Sequence, residues 1–264
     1  MTGDAPAGGP KPKIDTAVPH SARVWNYWLG GKDNYPADRA MGDQILAMVP
    51  DMPRIARLQR AFLTRAIQFL AGEAGIRQFL DIGTGLPTAD NTHQAAQALA
   101  PQARIVYVDN DPLVLVHAQA LLTSSPEGAC DYVDADVREP EKILAEAART
   151  LDFGKPVAVM MLGILGQVPD SDHPETIVGK LVDAVPSGSY LAISDGVDTS
   201  ETFNEAVRHS GWYHVRSPEQ IAGFFAGLEL VEPGVVSLGR WRPRATPFPE
   251  QDDVPGVCGV GRKP

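Results

Sequence analysis

A glycine-rich turn between an apolar run and a helical pattern is the sharpest chemical signal in this sequence. In the segment FLDIGTGLPT, an apolar strand carries Asp81 near its end, and a turn of Gly83, Thr84 and Gly85 follows. Glycines at such a turn let a ligand approach the backbone closely, and open α/β sheets bind ligands at the carboxyl ends of their strands. We therefore expect these four residues to line a binding site.

Acidic residues also follow the next two predicted strands. Asp109, in VYVDND, stands 24 residues after the second turn glycine, a spacing that suits a carboxylate holding both hydroxyls of a ribose. Asn110 comes next and is a second candidate for this contact. After the third strand, Asp136 offers an acceptor to an adenine amino group and Val137 an apolar neighbour to the ring, although two aspartates of that strand compete with Asp136 for this role.

Two classes of adenosine-containing ligand share this layout. A dinucleotide site requires Gly-x-Gly-x-x-Gly, and this chain has Thr88 where the third glycine belongs. A dinucleotide would also bring its pyrophosphate close to the Asp81 carboxylate. A nucleoside with a cationic sulfonium and an amino-acid tail fits three successive acidic strand ends better, because Asp81 can hold the ammonium of the tail directly or through water.

An aromatic segment precedes the predicted sheet. The text HSARVWNYWLGGKDNYPADRAMGD places Trp25 and Tyr27 on a short helix, with Asn34 and Tyr35 beyond a Gly-Gly turn. This composition suits a lid that closes over a ligand, although packing against the sheet would select the same aromatic residues. Aromatic walls would orient a flat acceptor and attract a sulfonium. Arg23 could meet a carboxylate of cofactor or substrate, or pair with an aspartate.

The elements that must position these residues follow from the hydrophobic pattern. Apolar runs predict seven strands, at residues 78–82, 104–108, 131–134, 156–162, 189–194, 228–237 and 256–261. Helical spacing predicts helices at residues 22–29, 38–48, 55–74, 88–99, 112–122, 140–150, 174–184, 199–209 and 218–225. The β-α alternation predicts an α/β fold with a doubly wound, Rossmann-like parallel sheet. The last two strands have no helix between them, which indicates a closing hairpin with at least one antiparallel strand.

Composition narrows the function further. The 264 residues carry a net charge of −10, which disfavours binding to nucleic acid or to anionic membranes. No apolar run reaches the roughly 20 residues of a membrane helix, the N-terminus has no apolar signal region, and the six histidines show no metal-ligand spacing. We expect a cytoplasmic protein without a metal, acting on a small molecule. Its regions would be a disordered tail (1–18), an N-terminal helical lid (19–75) and a main domain (76–264).

The longest motifs resemble one enzyme family. They are ARVWNYWLGGKDNYPADR, RQFLDIGTGLPTADNTH, RIVYVDNDPLVLVHA, VMMLGILGQVPD, FFAGLELVEPG and GVGRKP. With these motifs the chain is similar to the seven-strand S-adenosylmethionine-dependent methyltransferases, and more narrowly to an actinomycete branch formerly classed as a domain of unknown function. The resemblance covers about residues 20–264. It implies the strand order 3-2-1-4-5-7-6, with strand 7 antiparallel.

The resemblance implies a function as well as a fold. S-adenosylmethionine would be the cofactor and S-adenosylhomocysteine the product. The aromatic residues of the N-terminal segment add the expectation of a small, aromatic acceptor. Leu162 and Gln167, in the loop after the fourth strand, would lie at the methyl end of the cofactor. In many relatives a histidine follows this strand, where this chain has Gly166 and Gln167, so any role of that histidine is in question here.

Several points stay open on the sequence alone. No residue stands out as a general base, and the candidates are Asp33, Asp195, Tyr27 and His93. A non-catalytic S-adenosylmethionine-binding protein and an NAD(P)-dependent oxidoreductase are alternative functions. The partner would be the small-molecule acceptor, with homo-oligomerisation left open.

Overall fold

The computed structural model describes residues 14–87, 91–121, 123–243 and 253–264. Most of the predicted tail, 1–18, lies outside these ranges, as do Thr88 and the greater part of the Trp/Pro-rich loop before the last strand.

One mixed sheet forms the centre of the described chain. Its strands are β1 (Gln78–Ile82), β2 (Arg104–Asp109), β3 (Ala129–Asp134), β4 (Ala158–Leu162), β5 (Tyr190–Gly196), β6 (Glu229–Leu230), β7 (Val236–Ser237) and β8 (Gly256–Arg262). Their order is β3-β2-β1-β4-β5-β8-β6, and β7 also pairs with β8. The strands β1 to β5 are parallel, whereas β8 runs antiparallel to β5. The predicted fold class, strand order and antiparallel last strand are therefore confirmed.

The predicted sixth strand is wrong in one respect. The run 228–237 forms two separate two-residue strands, β6 and β7, rather than one continuous strand. Pro233 has no backbone N–H to donate to a ladder, and Gly234 adopts a φ of +86° while its N–H closes a turn onto the Val231 carbonyl. The chain consequently leaves the sheet edge between the two short pairings.

Helices cover both faces of the sheet. They are α1 (Ser21–Trp28), α2 (Pro36–Met48), α3 (Met52–Ile67), α4 (Thr92–Leu99), α5 (Pro112–Leu121), α6 (Pro140–Ala147), α7 (Pro174–Asp183), α8 (Glu201–Ser210) and α9 (Pro218–Gly223). The predicted third helix starts earlier than expected, with Pro53 in its first turn, and its last part is a π-helical segment, Gln68–Glu73. The predicted helix 88–99 is seen from Thr92.

Alternating side chains of the strands enter two hydrophobic cores. Phe79 and Ile105 pack on the face covered by α1 to α4 and α8, whereas Leu80 and Val106 pack on the face covered by α6, α7 and α9. Nearly all of these side chains are fully buried, which is why the central strands read as continuous apolar runs. Buried polar side chains, such as Asp81, Asp109 and Asp195, lie near the carboxyl ends of the strands.

Candidate active site

The turn after β1 is shaped by its two glycines. Gly83 and Gly85 have φ values of +74° and +67°, a region that favours glycine. The Gly83 N–H donates to the Val108 carbonyl at 2.8 Å, and the Thr84 hydroxyl donates to the Asp81 carbonyl at 3.0 Å. A Cβ on Gly83 would lie 2.7 Å from the side chain of Ile164, which belongs to the loop after β4. The turn is thus fixed in place while its backbone borders the cavity.

Asp109 closes this turn from the end of β2. One carboxylate oxygen accepts a hydrogen bond from the Gly85 N–H at 2.7 Å, and the other accepts from the Asp111 N–H at 3.0 Å. Burial raises the pKa of Asp109, and these two backbone bonds oppose that rise. Each carboxylate oxygen can accept a further hydrogen bond, so the group is equipped to hold two hydroxyls.

Asp81 forms a second buried carboxylate beside it. Its side chain accepts a hydrogen bond from the Thr92 hydroxyl at 2.5 Å, and burial raises its pKa to about 6. The nearby Asp109 raises this pKa further, whereas Thr92 and the positive charge of Arg60 lower it. Two buried carboxylates on one wall are stabilised by a ligand that carries positive charge, as S-adenosylmethionine does.

Arg60, on α3, is a site residue that the sequence analysis missed. It lines the same cavity as Asp81 and acts on that carboxylate electrostatically. A guanidinium in this position is suited to a carboxylate of the amino-acid tail. Arg60 lies far from the glycine turn in sequence, so no motif or spacing in the sequence indicates its place in the site.

A single cavity extends from these carboxylates to a group of aromatic side chains. Together with the open space at its mouth it takes in about 1470 Å³, and we call it the main cavity. The lining includes five aromatic residues, which we call the aromatic wall: Trp25, Trp28, Phe203, Trp212 and Tyr213. The ends of β2 and β5 both contribute to the lining, and these strands lie three spacings apart, roughly 14 Å at ~4.8 Å each.

A smaller adjoining cavity contains the predicted adenine contacts. Asp136 and Val137 line it together with Asp109 and Asn110, which border both cavities. Asp136 accepts hydrogen bonds from the Arg138 guanidinium at 2.7 Å and from the Asn110 amide at 3.0 Å. The Arg138 bonds hold the pKa of Asp136 below its usual range. An adenine amino group would therefore share this carboxylate with Arg138.

The predicted lid is attached to the sheet by a buried ion pair. Arg23 donates to Asp111 at 3.1 Å, lies 3.7 Å from Asp38, and is 4% exposed. It does not line the main cavity, so the expected contact with a cofactor or substrate carboxylate is replaced by the aspartate pairing, here buried rather than at the surface. The Ser21 hydroxyl donates to Gln167 at 2.8 Å, which ties the start of α1 to the loop after β4.

Three other predicted residues of this segment also lie away from the lining of the main cavity. The Asn34 amide donates to Asn26 at 3.0 Å, and the Tyr27 hydroxyl donates to Asp43 at 2.6 Å. The Tyr35 ring lies under the Arg23 guanidinium, 5.6 Å from it. These side chains hold the segment together. Predicted residues that do line the main cavity are Trp25, Asp81, Gly83, Thr84, Gly85, Asp109, Asn110, Leu162 and Gln167.

Of the four candidate bases, Asp195 is the one that lines the main cavity. Asp33 lies 3.6 Å from His117, and the His93 ring contacts the Tyr107 hydroxyl at 2.8 Å under the sheet-facing side of α4. Asp195 accepts from the Gly166 N–H at 2.8 Å, and burial raises its pKa to about 7. Tyr213 donates to Asp195 and was not predicted, because the segment after α8 carries no motif.

Two further features are absent from the described ranges. No helix in this part of the chain has the length and apolar character needed to cross a membrane. Among the same residues, no cluster of three or more His, Cys, Asp or Glu side chains is arranged to hold a metal ion.

The strand order, the glycine turn and the acidic ends of β1 and β2 together define the class of S-adenosylmethionine-dependent methyltransferases. The model of the S-adenosyl methyltransferase family matches residues 7–264, and the chain belongs to this family. The resemblance seen in the sequence is confirmed, and the protein is an enzyme of methyl transfer rather than an NAD(P)-dependent oxidoreductase or a non-catalytic binder.

Solved structures agree with this assignment. A DUF574 family protein from Streptomyces avermitilis is 44% identical, with a TM-score of 0.92, over 96% of this chain and 100% of that one. A proposed methyltransferase from Thermobifida fusca is 43% identical, with a TM-score of 0.87, over 94% and 96%. An S-adenosylmethionine-dependent methyltransferase from Anabaena variabilis shares the fold at 11% identity, with a TM-score of 0.51 over 95% and 98%. No curated protein matches the chain.

Proposed function

We propose that this methyltransferase acts on a small, flat aromatic molecule that binds against the aromatic wall. The observation that carries the proposal is the continuity of the main cavity, whose lining joins the acidic residues Asp81 and Asp109 to the five aromatic side chains. The cofactor would occupy the acidic part of this lining and the acceptor the aromatic part.

The cofactor half of the site follows from its donors and acceptors. Asp81 would hold the ammonium group, Arg60 the carboxylate and Asp109 the ribose hydroxyls, with Asp136 and Val137 at the adenine. When bound, S-adenosylmethionine supplies a methyl group that is already activated by the sulfonium. The chain's own task is therefore to align an acceptor with that methyl group and to exclude water.

The aromatic half of the site would align the acceptor through its flat surfaces and exclude water from the methyl group. Trp25 and Trp28 pack edge to face, with ring centroids 5.6 Å apart, and Phe203 contributes a third ring. Flat apolar surfaces fix the plane of an aromatic acceptor, and their π faces attract a sulfonium by about 0.5–2 kcal/mol. Leu162, at the end of β4, and Gln167, in the loop that follows, line the same cavity as the acidic and aromatic residues.

The surroundings of the reaction form part of the proposal. A net charge of −10 disfavours nucleic acid and anionic membrane partners, which leaves the small acceptor as the expected partner. Cys130 and Cys258 are both free thiols, as is usual in a reducing compartment, which supports a cytoplasmic location. The histidine spacing of the sequence supports a reaction without a metal.

An untargeted labelling experiment identifies the acceptor. Protein, methyl-labelled S-adenosylmethionine and a metabolite extract are incubated together, and mass spectrometry locates the label. We expect label in a small aromatic molecule, strongly reduced in Trp25→Ala and unchanged in Tyr27→Phe, which keeps the packed ring of a residue of α1 outside the main cavity. Label confined to aliphatic molecules or to macromolecules would contradict the proposed acceptor.

A further inference from the structure

We propose that Tyr213 and Asp195 form a relay that removes the proton from a hydroxyl group of the acceptor. The inference rests on the proposed function, because it requires an aromatic acceptor on the aromatic wall. It adds the chemical group that is methylated, a phenol-type oxygen, and the two residues that receive its proton.

The relay is built at the carboxyl end of β5. Asp195 is 3% exposed and lines the cavity. One of its carboxylate oxygens accepts from the Gly166 N–H at 2.8 Å, and the other accepts from the Tyr213 hydroxyl and from the Gly196 N–H at 3.1 Å. The Tyr213 oxygen also accepts from the Gly196 N–H, at 2.8 Å. The carboxylate is therefore fixed in position, with the tyrosine hydroxyl bonded to it.

Gly166 makes room for the Tyr213 ring. A Cβ built on Gly166 would overlap that ring, so the ring rests directly on the backbone of the short helical turn after β4. The neighbouring His214 N–H donates to the Gly166 carbonyl at 2.6 Å, which holds the two segments together. The resemblance implies a histidine after the fourth strand, and here the Tyr213 ring, from another part of the fold, lies against Gly166 in that loop.

The charges around Asp195 suit a proton acceptor that works near neutral pH. Burial raises its pKa to about 7, whereas the Gly166 and Gly196 bonds and the positive charge of Arg216 lower it. The Arg216 guanidinium is held by the carbonyls of Leu165 and Val168, and by Asp170. Asp195 is thus ionised at mildly alkaline pH and can take up a proton there.

The proton balance of the step is simple. The acceptor oxygen would form its bond to the methyl group as the sulfur–methyl bond of S-adenosylmethionine breaks, and the electron pair of that bond would stay on the sulfur of S-adenosylhomocysteine. The proton of the acceptor passes to the Tyr213 oxygen, and the Tyr213 proton passes to Asp195. Tyr213 ends the step as a neutral phenol and Asp195 as a carboxylic acid, which later releases the proton to solvent by the reverse route. Tyr213 touches the acceptor and is the catalytic residue, whereas Asp195 acts through it.

The decisive experiment compares two acceptors of different acidity. With 2-naphthol, a weak acid, Tyr213→Phe and Asp195→Asn should each lose about 100-fold or more in kcat, the usual contribution of a general base. With 4-nitrophenol at pH 8, which is largely ionised in solution, both losses should be much smaller because no base is needed. A purely structural role would lower both rates equally. Tyr27→Phe is the matched control, since Tyr27 also bonds to an aspartate, Asp43, but outside the main cavity.

A binding measurement tests the same contact without the methyl donor. Tryptophan fluorescence should show Tyr213→Phe binding 2-naphthol about threefold to tenfold more weakly, the effect of one hydrogen bond, and 2-methoxynaphthalene unchanged. Gly166→Ala should weaken the binding of both compounds, because its methyl group displaces the whole Tyr213 ring from the aromatic wall. Gly179→Ala, on α7 with open space around its Cα, should leave both affinities unchanged.

The outcomes separate the relay from the proposed function. Equal kcat values for the wild type, Tyr213→Phe and Asp195→Asn on 2-naphthol would overturn the relay and leave an aromatic acceptor standing. Failure of the wild type to methylate either phenol would also overturn the relay. In that case the extract experiment with labelled S-adenosylmethionine decides independently whether the aromatic acceptor survives.

Discussion

Asp109 carries much of the cofactor binding that we propose, because backbone hydrogen bonds hold both of its carboxylate oxygens in place beside the glycine turn. They accept backbone bonds from Gly85 and Asp111 and retain the capacity for two ribose hydroxyls. A charge-assisted hydrogen bond of this kind contributes about 1.5–3 kcal/mol. The contribution of this side chain is therefore large enough to measure by substitution.

Asp109→Ala should weaken S-adenosylmethionine binding at least about tenfold, as measured by calorimetry. Circular dichroism should show that the fold is retained. Asp134→Ala is the matched control, since it removes the same charge from the paired position on β3, where the side chain is exposed. Unchanged affinity in Asp109→Ala would transfer the ribose contact to Asn110 or Asp111.

The ionised Asp81 side chain should lower the stability of the cofactor-free protein and strengthen the binding of the cofactor. Its folded pKa, about 6, exceeds its ordinary value of 3.8, so the folded state binds the proton more tightly and the free energy of unfolding falls as pH rises through about 6. The gap corresponds to roughly 3 kcal/mol. Asp81→Asn should therefore stabilise the cofactor-free protein at pH 8, by up to that amount in urea unfolding.

The same substitution should weaken cofactor binding. In the wild type, affinity for S-adenosylmethionine should decline as pH falls through about 6, because protonated Asp81 no longer attracts the ammonium group. Asp81→Asn should bind weakly at every pH, without this decline. An Asp81→Asn protein that is less stable at pH 8, or that binds with wild-type affinity, would refute the role we give this carboxylate.

Individual site residues were predictable when they stood at strand ends. Asp81 and Asp109 follow apolar runs at a recognisable spacing, and both line the cavity. Arg60 and Tyr213 reach the same cavity from α3 and from the segment after α8, and their positions depend on long-range packing that leaves no local pattern. Tyr27 had the right residue type, yet its helix directs it towards Asp43.

At the scale of elements, α1 links the N-terminal segment to the carboxyl ends of the sheet strands, where the main cavity lies. Val24 and Trp28 enter the core, while Arg23 pairs with Asp111 at the end of β2. Both partners of this pair are almost fully buried, so removing the cation leaves uncompensated carboxylates, which typically costs about 3–5 kcal/mol. Closure of the segment as a lid remains a prediction.

Arg23→Met should therefore lower the free energy of unfolding by about 3 kcal/mol or more and weaken cofactor binding, because the cavity-lining residues of α1 lose their attachment. Arg39→Met is the control. Arg39 is exposed and bonds only to Asn34 among the described contacts, so its loss should change stability by about 0.5 kcal/mol or less. Equal effects of the two substitutions in urea unfolding would show that the buried pair does not hold α1.

The order of elements was more predictable than their edges. Apolar strands alternating with helices define a doubly wound sheet, and the closing pair of strands indicated the antiparallel last strand. The split of the sixth strand depended on where Pro233 and Gly234 turn the chain, which hydrophobic pattern alone does not resolve. Similarly, the π-helical segment Gln68–Glu73, which follows α3, is not distinguished from an α-helix by apolar spacing.

The whole molecule should respond to its cofactor as one cooperative unit, since the cavity is lined by elements from both the N-terminal segment and the sheet. S-adenosylhomocysteine at 100 times its Kd adds about 2.7 kcal/mol to stability, which for a chain of this size raises Tm by roughly 5–10 °C. NAD at the same concentration should leave Tm unchanged. A larger shift with NAD would contradict the ligand class.

The central claim is that the acidic strand ends and the aromatic wall form one site, and a crystal structure of the S-adenosylhomocysteine complex tests it most directly. We expect the ribose hydroxyls on Asp109, the amino group near Asp81, and the sulfur atom directed towards Trp25, Tyr213 and the rest of the aromatic wall. A ligand bound away from these carboxylates, or one whose sulfur is directed away from the aromatic wall, would contradict it.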